Sequence, residues 1–345
     1  MIIRKTFYMI ILVVSIITAQ DSLRTISINA VGDIMLGTDY PVNRLPDKNG
    51  ELLLKNVNEI LSSADLTFGN YEGVLLDGGI PHKKCKDPTK CYLYRTPTSY
   101  VKNLQTAGFD IMSIANNHAN DFGQQGVNSS KKTLHTAGIK FSGPISEIAD
   151  TTINGIKISL IAFATSPGMY SLLDIPNAVV KIESLKKQYD IVIVSFHGGA
   201  EGETALHVKN QMEIAYGEKR GNVVKFAHSV IDAGADLVIG HGPHVPRALE
   251  MYKNRLIAYS LGNFCTYEGF SLQGSKGIST ILNVKINNMG EFVSGNIISA
   301  KQERPYGPIP DNTKAAFNLI KKLTESDFPN TKLKFENTGF FYPAD

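Results

Sequence analysis

An α/β fold, of mixed α+β character in its later part, follows from three features of the sequence. Short apolar runs alternate with segments of helical spacing, glycine closes several of the helical segments, and the last third turns into apolar runs joined by short polar turns. The 345 residues, 43% of them hydrophobic, suffice for one large packed domain built on two mixed sheets.

The first segment, MIIRKTFYMIILVVSIITAQ, places Arg4 and Lys5 ahead of an apolar run from Phe7 to Ile17, with small or polar residues at Thr18, Ala19 and Gln20. That is the layout of a secretory signal at residues 1–20. The run is shorter than the roughly 20 residues a spanning helix needs, so cleavage is favoured and an uncleaved N-terminal anchor is the alternative. The chain is therefore expected to be exported: periplasmic, cell-surface or secreted. No cysteine follows the run, which argues against a lipoprotein. Losing Arg4 and Lys5 lowers the formal net charge from +3 to +1, which makes no electrostatic case for nucleic acid.

Strands are expected over Thr25–Val31, Asp65–Gly69, Phe109–Ala115, Lys157–Ala164, Ile191–Phe196 and Asp236–Gly240. Between them, helical spacing marks Leu52–Leu61, Ser99–Ala107, Gln125–Ala137, Val179–Gln188 and Asn222–Ala233. Hairpins are expected around the YKNR turn at 252–255 and the NNMGE turn at 287–291, which join strand-like runs over Arg247–Leu261, Gly277–Ile286 and Glu291–Ala300. A main domain over 25–305 and a C-terminal helical extension over 306–345, packed on the same domain through the helical segment Lys314–Leu323, complete the organisation.

Cys85 and Cys91 lie close together in a polar stretch, PHKKCKDPTKCYLYR. In an exported chain they are expected to form a local disulfide, with free thiols as the alternative; a zinc site is disfavoured because no second pair exists. Cys265 remains as a buried thiol.

Five of the predicted strands run into polar residues at their carboxyl ends. They deliver Asp33; Asn70 with Glu72; Asn117 with His118; His197; and His241 with His244. Ligands bind beyond the carboxyl ends of strands in open α/β sheets, and carboxylate, amide oxygen and imidazole together suit one or two divalent ions of Mn, Fe, Zn or Mg. Each residue also has a plainer reading: Asp33 as a helix cap or turn acid, Asn70 as a turn residue, Glu72 as a solvated loop charge, Asn117 and His118 as caps of the helix from about Asp121, His197 as a core histidine, and His241-Gly-Pro-His244 as a surface turn. His82, His135, His207 and His228 are read as outside any site.

The motifs VGDIMLG (31–37), GNYEGVL (69–75), SIANNHANDFG (113–123), FHGGAE (196–201), DAGADLVIGHGPHV (232–245) and IAYSLGNF (257–264) together resemble the bacterial capsule synthesis proteins of poly-γ-glutamate formation, the CapA/PgsA family, related to calcineurin-like metallophosphoesterases. The resemblance covers roughly residues 26–285. It implies a four-layer α-β-β-α sandwich with a metal centre at the strand ends. It further implies metal ligation by Asp33, Glu72, Asn117, His197, His241 and His244, with His118 serving catalysis. The sequence departs from the phosphoesterase pattern in three places: Met35 stands where a metal histidine is usual, the second acid is a glutamate, and two residues rather than one separate the closing histidines.

In this reading Asp121 orients His118, and Arg247 clamps a phosphate or carboxylate or, alternatively, forms a surface ion pair. Three functions compete: an exported component of capsule polymer assembly acting on or anchoring an anionic polymer, working with membrane capsule-synthesis components; a generic envelope phosphoesterase or nucleotidase; and a polymer-binding partner without turnover. The basic run Lys83, Lys84, Lys86 and Lys90 is a polymer contact or simply a solvated loop.

Overall fold

The computed structural model describes residues 24–83 and 92–344. The signal at 1–20 and the expected Cys85–Cys91 disulfide, with Lys84, Lys86 and Lys90, lie outside the described residues.

Two sheets stack face to face. The first, ten-stranded, has the order Leu333–Phe335, Phe340–Pro343, Phe292–Glu303, Ile278–Asn287, Thr25–Met35, Leu66–Tyr71, Ile111–Ser113, Lys140–Ser142; Asn263–Thr266 pairs with Thr25–Met35, and Gly307–Pro310 with Phe292–Glu303. The second runs Leu249–Tyr252, Arg255–Ala258, Leu237–His241, Ile191–His197, Ile156–Ala164, Ala149–Ile153, with Tyr170–Ser171 beside Ile156–Ala164. Apolar side chains from both sheets, among them Ile26, Ile28, Phe68, Ile158, Ile193 and Ile239, form the central core. Each such fully buried side chain contributes about 1.5–3 kcal/mol relative to exposure.

Helices cover the two outer faces. Val101–Thr106 and Gly123–Thr136 lie over the first sheet, burying Leu104 and Leu134 with Val31, Ile34 and Met112. Ile175–Lys186 and Val223–Asp232 lie over the second, burying Ile182, Val223 and Phe226 with Val192, Val194 and Val238. Asp174 and Asn222 cap these last two helices, accepting from Asn177 N–H and Lys225 N–H. The layers are thus helix, sheet, sheet, helix.

Two expectations need correction. The helical spacing at Leu52–Leu61 produces a helix only over Asn58–Leu61; before it the amides of Leu53, Lys55 and Val57 donate three residues back, in successive tight turns. The segment after residue 305 is not simply helical. Ala315–Asp327 is a helix, but Gly307–Pro310, Leu333–Phe335 and Phe340–Pro343 add strands to the first sheet. Alternating Leu333 and Phe335, and the run Phe340-Phe341, carried that signal. The hairpin expected around the YKNR turn is present, Leu249–Tyr252 with Arg255–Ala258, turned by Lys253 and Asn254, both at positive φ.

Candidate metal centre

Strand alternation aims two histidines between the sheets. In Ile191–His197, Ile191 and Ile193 face the central core while Val192, Val194 and Phe196 face the helices, so His197 continues the inner row. In Leu237–His241, Leu237 and Ile239 face inward and Val238 outward, which puts His241 on the same inner row. The strands are parallel neighbours in the register His197↔His241. On the facing sheet Leu66 and Phe68 point inward, so Asn70 does too, and Glu72 follows with the same parity just past the strand end.

Asp33 reaches this space only through an irregularity. Ala30 points inward and Val31 outward, and simple alternation would turn Asp33 outward. The pairing with Leu66–Tyr71 slips between Ala30↔Phe68 and Asp33↔Asn70: three steps on one strand oppose two on the other. This bulge restores Asp33 to the inner face. Gly32 makes it possible, because a Cβ there would sit 1.9 Å from Gly262 O, and Asp33 N–H donates to that carbonyl at 2.9 Å.

The functional atoms meet around Glu72, which is fully buried. Its Oε1 lies 3.8 Å from His244 Nε2, 3.9 Å from His118 Nε2 and 4.0 Å from His197 Nε2. One ligand atom each from Asp33, Glu72 and His197 fall within 4.8 Å of one another, a group able to hold a metal ion. Asp33 Oδ1 accepts from Asn70 Nδ2 at 2.8 Å and lies 3.6 Å from His241 Nδ1. His244 Nδ1 stands 3.1 Å from both Asn263 Oδ1 and Asp33 Oδ2. The predicted ligand residues other than Asn117 are therefore linked into one cluster by these distances.

The donor set fits a divalent cation. Among the described residues, Asp33 Oδ2, both oxygens of Glu72, Asn117 Oδ1, His197 Nε2 and both ring nitrogens of His241 are buried without a hydrogen-bond partner. Leaving so many buried polar atoms unpaired costs about 1–3 kcal/mol each, an arrangement that a bound cation would offset. Hard oxygens mixed with imidazole nitrogens suit a divalent ion.

The electrostatics agree. Burial pushes Asp33 upward, but the imidazoles of His241 and His244 beside it, with the charge of His244 and His197, outweigh burial and leave this carboxyl well below its ordinary range. Burial raises the Glu72 carboxyl well above its ordinary value, although His244 opposes the shift. Burial also keeps His197 neutral, with a pKa well below the usual value despite Asp33. For His244 burial works downward, but Glu72, Asp33 and Glu201 lift it to about 10, so in the absence of metal it carries the positive charge that the acids demand.

His118 Nδ1 lies 2.8 Å from Asp121 Oδ2, which fixes the proton on Nδ1 and turns Nε2 toward Glu72. Asp121 is held in turn by Tyr94 N–H at 2.8 Å and by Lys83 Nζ, 3.3 Å from its other oxygen. Burial lowers the His118 pKa, with Asp121 working against the shift. Asn116 fixes the same loop: it donates to Tyr71 O and accepts from His118 N–H.

The loop His241-Gly-Pro-His244 is strained. His244 has φ +59° and Gly242 +107°, and a Cβ on Gly242 would meet His197 Cδ2 and Nε2 at 3.1 Å. Gly242→Ala is expected to cost about 1–3 kcal/mol through the backbone alone and to lower bound metal by displacing His197. Urea denaturation and elemental analysis measure the two effects separately.

Arg247 is neither a substrate clamp nor a surface ion pair. It is fully buried, and its terminal nitrogens donate to Glu213 Oε1 at 3.1 Å and Oε2 at 2.9 Å and to Ala200 O at 2.9 Å. Met35 is buried, and its sulfur accepts from Gly37 N–H at 3.2 Å. His207 pairs with Asp327 and His228 with Glu250, both outside the cluster. Sequence reading missed Glu201 and Asn263. Both lie in quoted motifs, FHGGAE and SLGNF, and both touch His244, Glu201 Oε2 standing 4.0 Å from its Nε2.

The family described as "Bacterial capsule synthesis protein PGA_cap" matches residues 27–268. The chain belongs to this family. It is 27% identical over 337 residues to the PGA biosynthesis protein CapA of Bacillus subtilis (strain 168), covering 93% of this chain and 83% of that one. It is 27% identical over 268 residues to the capsule biosynthesis protein CapA of Bacillus anthracis, covering 71% of this chain and 61% of that one. Among solved structures, the 5'-nucleotidase precursor from Thermus thermophilus overlays with a TM-score of 0.45 at 12% identity, covering 87% of this chain and 58% of that chain. The matched family segment, 27–268, contains every residue of the cluster, from Asp33 to Asn263.

Proposed function

We propose that this capsule synthesis family member is an exported divalent-metal hydrolase that acts on an anionic capsule polymer of the poly-γ-glutamate type or on a phosphate ester. The observation that carries the reading is the meeting of buried, unpartnered carboxylate and imidazole atoms with a histidine whose far nitrogen is held by a carboxylate. A site meant only for adhesion has no use for the His118–Asp121 pair. Export rests on the signal layout of residues 1–20.

Asp33, Glu72, Asn117, His197, His241 and His244 would hold one or two ions of Mn, Fe, Zn or Mg. A bound divalent ion would supply Lewis-acid polarisation of the scissile group and a nucleophilic water at neutral pH. His118 presents Nε2 to the cleft. It takes up a proton there and returns it to the leaving atom, oxygen in a phosphate ester or nitrogen in a γ-glutamyl amide, and the Asp121 carboxylate stabilises the imidazolium that forms. Tyr94, its ring centroid 4.3 Å from that of His118, shields the pair from water.

Elemental analysis of the purified protein, followed by assays on a generic phosphodiester and on poly-γ-glutamate, tests the proposal. Bound divalent metal with turnover of either substrate supports it, and the productive substrate chooses between polymer and phosphate ester. Absence of metal after reconstitution, or full activity in His118→Ala, overturns it. Metal binding without turnover identifies a polymer-binding assembly component instead. Asp121→Asn is expected to lower kcat about 10–100-fold while leaving metal content unchanged, because it releases His118 from its tautomer without touching the ligand set.

A further inference from the structure

We infer that Glu201 supplies a carboxylate oxygen to a divalent cation on the His244 side of Glu72, and that the Arg247–Glu213 ion pair exists to hold it there. The inference deepens the metal-centre reading above and rests on it.

Glu201 lies on the glycine-rich segment that leaves the Ile191–His197 strand. Its two oxygens have different neighbours. Oε1 is buried and lies 3.3 Å from Arg220 Nη2; Oε2 lies 4.0 Å from His244 Nε2, which itself lies 3.8 Å from Glu72 Oε1. Glu72 thus groups with Asp33 and His197, and its Oε1 also neighbours His244, which bridges from Asp33 Oδ2 at Nδ1 to Glu201 Oε2 at Nε2. At metal–oxygen and metal–nitrogen distances of about 2.0–2.2 Å, tetrahedral ligation puts donor atoms roughly 3.4 Å apart, so the 3.8 Å and 4.0 Å separations close onto one ion with small side-chain shifts. Arg220 does not depend on Glu201 for neutralisation, since Glu218 Oε2 also lies 3.3 Å away.

The backbone on both sides of Glu201 is pinned. Ala200 N–H donates to Glu213 Oε2 at 2.9 Å, and Ala200 O accepts from Arg247 at 2.9 Å, so the buried pair grips both polar groups of that residue. Gly202 N–H donates to Pro243 O at 2.9 Å, which ties the other side to the residue preceding His244. A carboxylate that served only as a partner for Arg220 would not need its neighbours fixed against the histidine loop. Fixing them is how a ligand is held in register with a metal.

The test uses Mn(II) alone. Calorimetric titration gives stoichiometry and affinity, and electron paramagnetic resonance reports the environment of the bound ion, for the wild type, Glu201→Gln and, as a control of equal charge change, Glu218→Gln. The expected result is that Glu201→Gln loses one ion per chain, or weakens its most weakly held ion at least tenfold with an altered resonance spectrum, while Glu218→Gln matches the wild type. Equal binding by Glu201→Gln and the wild type, or equal weakening in both variants, overturns the inference and leaves the metal-centre reading intact. A wild type that binds no Mn(II) or other divalent ion instead overturns that reading and the inference with it. Circular dichroism of Glu201→Gln confirms the fold, and Arg247→Lys provides a second route: the fork that grips Ala200 is lost, so the same ion is expected to weaken although no ligand has changed.

Discussion

Glu72→Gln is expected to lower the proposed metal-dependent hydrolysis by about 10³–10⁴-fold and to leave the protein folded. The magnitude follows from the several kcal/mol of transition-state charge stabilisation that a metal supplies, at about 1.36 kcal/mol per tenfold. The substitution strikes a carboxylate that lies within 4.0 Å of His118, His197 and His244 together. The fold survives because the ionised form of Glu72 is a burden without metal: the side chain is fully buried, neither oxygen has a hydrogen-bond partner, and burial raises its pKa well above the ordinary value. An uncharged amide of the same shape avoids that cost and can donate toward the unpartnered His197 Nε2. Metal content, steady-state rates and a thermal melt of the metal-free protein measure the three parts. Wild-type rates in a metal-depleted Glu72→Gln sample would remove Glu72 from the mechanism.

Arg247→Met is expected to cost about 3–5 kcal/mol of stability, the usual penalty for breaking a buried ion pair from one side. Glu213 is left as a largely buried carboxylate whose one remaining donor is Ala200 N–H. Ala200 O loses its guanidinium donor at the same time. The double variant Arg247→Met with Glu213→Leu is expected to recover most of the loss, since removing both charges also removes the desolvation cost. Urea denaturation of the two variants and the wild type measures this. Near-equal stability of Arg247→Met and the wild type would contradict the buried-pair assignment. The double variant is expected to remain weak in metal binding even where stability returns, because nothing then grips the loop that carries Glu201.

Much of the candidate site can be read from the chain because strand alternation is local. Ile191, Ile193, Ser195 and His197 stand two apart, as do Leu237, Ile239 and His241, so apolar residues that must face the core commit the histidines that follow them to the same face. The motif spacing and the turn at Gly242-Pro243 are legible for the same reason: each depends on neighbours a few residues away. Leu52–Leu61 misleads because its buried leucines repeat at helical spacing while the backbone hydrogen bonds follow a tighter turn.

The sequence by itself determined that apolar strands alternate with helices, that several strands end in carboxylate, amide or imidazole residues, and that His118 stands three residues from Asp121. Tertiary structure alone decided the rest. Asp33 points inward only because the register against Asn70 slips by one residue at Gly32, and that register is set by a strand more than thirty residues away. Arg247 is drawn into the interior by Glu213, 34 residues earlier, and Glu201 comes to His244 because Ala200 and Gly202 are tied to distant partners. Patterns of period two or 3.6 are visible along a chain because steric repeat makes them. The pairing of buried charges is not, because a charge removed from water must find its partner in space, wherever in the sequence that partner lies.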